Sequence, residues 1–171
     1  MTLLAITVLG HDRPGIIAGT TGVLADLGLN IEDSTMTLLR GHFAMMLITD
    51  GGADAGTVEE SLAGLTADGS LSVSVRVVPA ERVVSRGTAY LLSVHGGDRP
   101  GIVSNVIAEV ARVGGNITDL TTRLAGELYV LIAEVDLPAT ADPTALQASL
   151  EAAAESLGVE VSLRPLESDD L

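Results

Sequence analysis

With 171 residues, the chain has room for one ordinary domain or two small ones. Its net charge is −14, all nine basic residues are arginine, and the aromatic set is one Phe and two Tyr, so it lacks the cationic and stacking groups that direct nucleic-acid binding needs. The absence of cysteine excludes disulfides, thiolate metal sites and a cysteine nucleophile. No uninterrupted apolar run reaches the roughly 18 residues of a membrane helix, and the first residues lack a basic segment and a cleavage site, so a cytoplasmic location is expected.

Leu3 to Leu9 is a short apolar run closed by Gly10, which predicts a strand covered on both faces. The period then changes. Ile16, Ile17, Thr20, Val23, Leu24 and Leu27 fall at helical spacing, and Gly28 ends that helix. Ile31 to Leu39 and His42 to Thr49 flank Arg40-Gly41 as a hairpin. Val58, Leu62 and Leu65 mark a second helix, and Leu71, Val73, Val75 and Val77 alternate with polar residues along a last strand.

The same order then begins again. Gly10 to Ile16 returns as Gly96 to Ile102, with one change, at an offset of 86 residues. Held without gaps over Thr2 to Thr35, that offset gives 14 identical pairs in 34, where chance gives about two or three, so the chain is a duplication. The second copy reads as a strand from Thr88 and a helix carried by Ile102, Val103, Val106, Ile107, Val110 and Val113 that stops at Gly114. A hairpin about Ala125-Gly126 follows, then a helix opened by Asp142-Pro143, and a strand through Val159, Val161 and Leu163. The expected organisation is one module at 1–79, a linker at 80–87, a second module at 88–166 and an acidic tail at 167–171. Each module has the order β-α-β-β-α-β, a ferredoxin-like α+β plan with two helices on one face of a four-stranded antiparallel sheet. The open faces and edges favour self-association, with a homodimer as the simplest form.

Asp-Arg-Pro-Gly-Ile lies between the first strand and first helix of each copy. Pro14 suits a first helical position, and Asp12 is placed to cap the helix or stand at its positive end. Gly15 leaves the first-turn amides open to a ligand carboxylate, and an Asp12 carboxylate suits an ammonium group. Together they fit a free amino acid. Asn30 and Asn116 begin the second strand of each copy, where the chain is expected to return near the first turn. Turn formation is an equally good account of them.

With these residues in view, the chain resembles tandem ACT-domain proteins of the glycine cleavage system transcriptional repressor group. The likeness rests on Asp12-Arg13-Pro14-Gly15-Ile16 and Asp98-Arg99-Pro100-Gly101-Ile102, on Gly-x-Asn-Ile at 28–31 and 114–117, and on Gly41-His42-Phe43-Ala44-Met45. The resemblance implies regulatory modules that bind amino acids between paired domains. By position it nominates Asp12, Arg13, Gly15, Ile16, Asn30 and Ile31, with Asp98, Arg99, Gly101, Ile102, Asn116 and Ile117, as ligand contacts. The copies differ at His11 against Gly97, and at Gly41-His42-Phe43 against Gly126-Glu127-Leu128, so their sites are expected to differ.

The expected function is a non-catalytic sensor that needs no cofactor and acts through a protein partner, either a transcription factor or a biosynthetic enzyme to which the chain is a regulatory subunit. Three histidines, His11, His42 and His95, are too few and too scattered for a metal site. An enzyme of a different class stays in view, a small acyl-phosphate hydrolase with Arg13 holding phosphate and Asn30 orienting water. Asp12 argues against it by repelling a phosphate dianion.

Overall fold

Alternating apolar residues build two similar sheets, and the helical periods between them supply the cover. The structure is a computed structural model and describes residues 2–80 and 86–167. Two compact units emerge, Met1–Arg82 and Val83–Leu171, and each is described by itself. Most of the expected linker, residues 81–85, and the end of the acidic tail lie outside the described residues.

In the first unit the elements are β1 (Thr2–His11), α1 (Ile16–Asp26), β2 (Asn30–Leu39), β3 (His42–Gly51), α2 (Ala55–Thr66) and β4 (Leu71–Val78). The second unit has β5 (Thr88–Gly97), α3 (Ile102–Arg112), β6 (Asn116–Ala125), β7 (Leu128–Leu137), α4 (Pro143–Leu157) and β8 (Val159–Pro165). The strand orders are β2-β3-β1-β4 and β6-β7-β5-β8, with every hydrogen-bonded pair antiparallel. This is the ferredoxin-like α+β plan twice over.

Leu4, Ile6 and Val8 of β1 and Phe43, Met45 and Leu47 of β3 face the helices and meet Ile16, Leu24, Val58 and Leu62 in the first core. Each such side chain contributes about 1.5–3 kcal/mol by leaving water. In the second unit Leu92 and Val94 meet Val106, Val110, Leu146 and Leu150 in the same way. The other sheet face stays open, which corrects the reading of β1 as covered on both sides. Leu3, Ala5 and Thr7 are only half-buried, and Leu9 is exposed. Val77 keeps the expected facing but lies at the sheet's end, 64% exposed.

Two local details depart from expectation. The second hairpin turns at Gly126-Glu127 rather than Ala125-Gly126, so Leu128 stands where the first copy has His42. Arg40 and Gly41 both take positive φ, as a two-residue hairpin turn of the primed type requires, whereas Gly126 alone does so in the second copy. Each second strand also carries a one-residue irregularity at the same place, between Ile31 and Asp33 and between Ile117 and Asp119.

Candidate functional site

The first turn is built differently from the expected cap. Pro14 lies in the turn and the helix begins at Ile16, with Gly15 as its N-terminal boundary residue at φ 91°, ψ −1°. Gly101 repeats this at φ 94°, ψ −3°. That backbone conformation disfavours side chains and explains the glycine on conformational grounds alone. Asp12 does not cap α1. Its side chain is exposed, and its backbone N–H donates to the Gly41 carbonyl at 3.0 Å.

Neither α1 nor α3 has a side-chain cap. The other two helices do, through Asp54 accepting from the Thr57 N–H and Asp142 accepting from the Thr144 N–H, with Pro143 in the first turn as expected. Hydrogen bonding to Thr57, first through its hydroxyl and then through its N–H, holds the Asp54 carboxyl below its ordinary range. Among the described residues, no side chain accepts from the N–H groups of Ile16, Ile17 and Ala18, and no acidic side chain stands in the first turn. Those groups and the helix dipole make this end attractive to an anion. A Cβ added to Gly15 would meet nothing within 4 Å, so the approach is clear.

Arg13 is committed elsewhere. Its guanidinium donates to Asp68 at 2.7 Å, to the Ser70 hydroxyl at 2.6 Å and to the Leu65 carbonyl at 3.1 Å. The side chain thus ties the first turn to the C-terminal end of α2, where a cation meets unpaired carbonyls favourably. The Asp68 carboxyl is held below its ordinary range by hydrogen bonds from Ser70 first and by the Arg13 charge after them. Among the described residues Arg99 makes no such clasp. The α4-to-β8 connection is the single residue Gly158, and the Arg99 guanidinium lies 3.5 Å from where a Cβ on Gly158 would stand.

Asn30 and Ile31 do not return to the first turn. Asn30 pairs with Asp50 and Asp50 with Leu3, near the start of β1, whereas the first turn follows His11 at its far end. At ~3.3 Å per residue the separation along the sheet is about 26 Å. Asn116, opposite Asp136 beside Ala89, repeats this in the second unit, and Ile117 faces the helices like Ile31. One module therefore brings Asp12, Gly15 and Ile16 together and leaves Asn30 and Ile31 at the other end. The second does the same with Asp98, Gly101 and Ile102 against Asn116 and Ile117.

Two features escaped the sequence reading. His11 and His42 are cross-strand partners with stacked rings, 5.2 Å between centroids, beside the first turn of copy one. Ser104 and Asn105 both donate to the Gly101 carbonyl, at 3.2 and 2.7 Å. Setting Ala18-Gly19 against Ser104-Asn105 at the repeat offset would have flagged the latter pair. A shallow depression lined by Thr7, Leu9, Thr35, Ala44 and Met46 lies on the sheet's open face, away from the first-turn amides.

The family model for the ACT domain matches residues 2–76 and again residues 88–164. The chain belongs to the ACT domain family. The glycine cleavage system transcriptional repressor of Escherichia coli is 27% identical over 168 residues, covering 94% of this chain and 88% of that protein. A UPF0237 protein of Methanopyrus kandleri is 52% identical over 50 residues, 29% of this chain, and the chain spans about half the length of several such curated relatives, 56% in this case. The crystal structure of an unknown protein from Galdieria sulphuraria superposes with a TM-score of 0.81 at 28% identity, covering 97% of this chain and 99% of that one. The two ACT-domain matches coincide with the two repeated modules. Among the described residues no helix is long and apolar enough to cross a membrane, and no cluster of three potential metal ligands occurs.

Proposed function

We propose that the chain is a non-catalytic amino-acid sensor that acts through a protein partner, its two modules at 1–79 and 88–166 joined by a short connection at 80–87. The observation that carries the reading is the uncapped start of α1 beside an unobstructed Gly15, in a chain that caps α2 and α4 with aspartates. First-turn N–H groups without a side-chain cap and a helix dipole suit the carboxylate of a zwitterion, and Asp12 stands nearby for its ammonium group.

Asn30 and Ile31 enter the site only if it is shared. Because they lie far from Gly15 within one module, a ligand touching both sets is shared between paired chains, and a homodimer is the simplest such pairing. Ligand binding then favours the paired arrangement over others by its differential affinity, which is how it reaches a partner. The relative named as a transcriptional repressor supports a role in transcriptional control of amino-acid metabolism, exerted through another protein because the chain is so acidic. The hydrolase reading loses its phosphate-holding group, since Arg13 is engaged by three acceptors of its own module.

The test is a thermal-shift screen of the native chain against the twenty amino acids, glycine and L-serine first. A ligand at ~100 times its Kd stabilises the native state by about 2.7 kcal/mol. No stabilisation by any of them would overturn the reading, as would turnover of acyl phosphates. Co-purification then separates a transcription factor from a biosynthetic enzyme as the partner.

A further inference from the structure

The two copies share the first-turn sequence, yet the space that glycine leaves is used differently in each. Beyond Gly15, among the described residues, there is nothing within 4 Å of a Cβ position. At Gly101 the same position is met by the Asn105 side-chain nitrogen at 2.9 Å, with the Ser104 hydroxyl at 3.9 Å. Asn105 is fixed there, because its side-chain nitrogen donates to the Gly101 carbonyl at 2.7 Å while its backbone N–H donates to the same oxygen at 3.0 Å.

Packing explains why only one copy carries this arrangement. Asn105 stands where the first copy has Gly19, and a Cβ on Gly19 would come within 2.9 Å of Leu65 on α2. The first copy needs a small residue there to seat α1 against α2. In the second copy the position is exposed and admits a polar side chain.

We propose that the two modules are inequivalent, with a free amino acid admitted at the first turn of the first copy and screened from that of the second by Asn105, assisted by Ser104. This rests on the amino-acid reading above and adds which turn is used and what closes the other. A carboxylate approaching the amides of Ile102, Val103 and Ser104 through the gap at Gly101 has to displace an amide already hydrogen-bonded across it. At Gly15 no side chain of the described residues stands in its way.

The experiment is an amide-resolved NMR titration of the full chain with glycine, and in parallel with L-serine, together with calorimetry for stoichiometry. The expected result is saturable movement of the Ile16, Ile17 and Ala18 amides, still Ile102, Val103 and Ser104 amides, and one ligand per chain. In the double variant Ser104→Ala with Asn105→Ala the second set moves as well, the stoichiometry rises to two, and affinity at the second turn rises at least tenfold. Alanine favours the helix, so the fold is retained, and single Asn105→Ala provides an independent check. Two equal sites in the native chain would overturn the proposal, and so would binding only at the second turn or a double variant that still takes one ligand. If no amino acid moves either set, the amino-acid reading itself fails and this inference falls with it.

Discussion

Alanine substitutions at Gly15 and Gly101 turn the difference between the copies into a stability measurement that needs no ligand. Both residues sit at φ above 90°, so a Cβ at either one strains the backbone by roughly 1–2 kcal/mol, as left-handed geometry does for ordinary residues. At Gly15 that is the whole expected cost, because the new methyl points into open space. At Gly101 the methyl also drives the Asn105 amide from its 2.7 Å hydrogen bond, which adds about 0.5–1.5 kcal/mol. Gly101→Ala should therefore cost about 1.5–3.5 kcal/mol, and Gly15→Ala about 1–2 kcal/mol. Urea unfolding of each variant gives the two values, and a cycle with Asn105→Ala isolates the added part. In the Asn105→Ala background the Gly101 substitution should fall to the Gly15 level. Equal costs for the two glycines in the native background, or no coupling to Asn105, would refute the reasoning.

Arg13→Ala should destabilise the first module by about 1 kcal/mol, because the clasp to Asp68 is largely exposed and screened, and amino-acid binding should survive it. Chemical unfolding at low and high salt, with calorimetry for the ligand, checks both halves. Asp54→Ala and Asp142→Ala each remove a helix cap and should cost about 0.5–2 kcal/mol in urea, unlike Asp12→Ala, which removes no cap. Asp54 and Asp68 have folded-state carboxyls held below their ordinary value of 3.8, so their contribution to stability is present above that pH and disappears as pH falls through their lowered values. Acid unfolding followed by circular dichroism should therefore shift to lower pH in the native chain than in an Asp68→Asn variant.

Much of the architecture was legible in the chain because it is written in periods and repeats. Alternation along Leu71 to Val77, the helical spacing of Ile102, Val106 and Val110, and the Asp142-Pro143 cap each state a local preference that tertiary packing left in force. The hairpin position slipped by one residue in the second copy because Ala125-Gly126 and Gly126-Glu127 are both acceptable turn pairs, and only strand pairing chooses between them.

The candidate site was legible only in part. Residue order established that Gly15 precedes a helix and that Asn30 begins a strand, since both follow from local backbone preference. Their separation was decided in three dimensions. Helix α1 carries the chain back to the end of the sheet where β1 starts, so the two residues lie at opposite poles of one module. Tertiary structure also turned Arg13 toward Asp68, because that contact depends on which helix end lies against which turn, and spacing along the chain does not encode it, whereas Asn105 meets Gly101 at the i, i+4 spacing of one helix turn and is readable from the repeat offset.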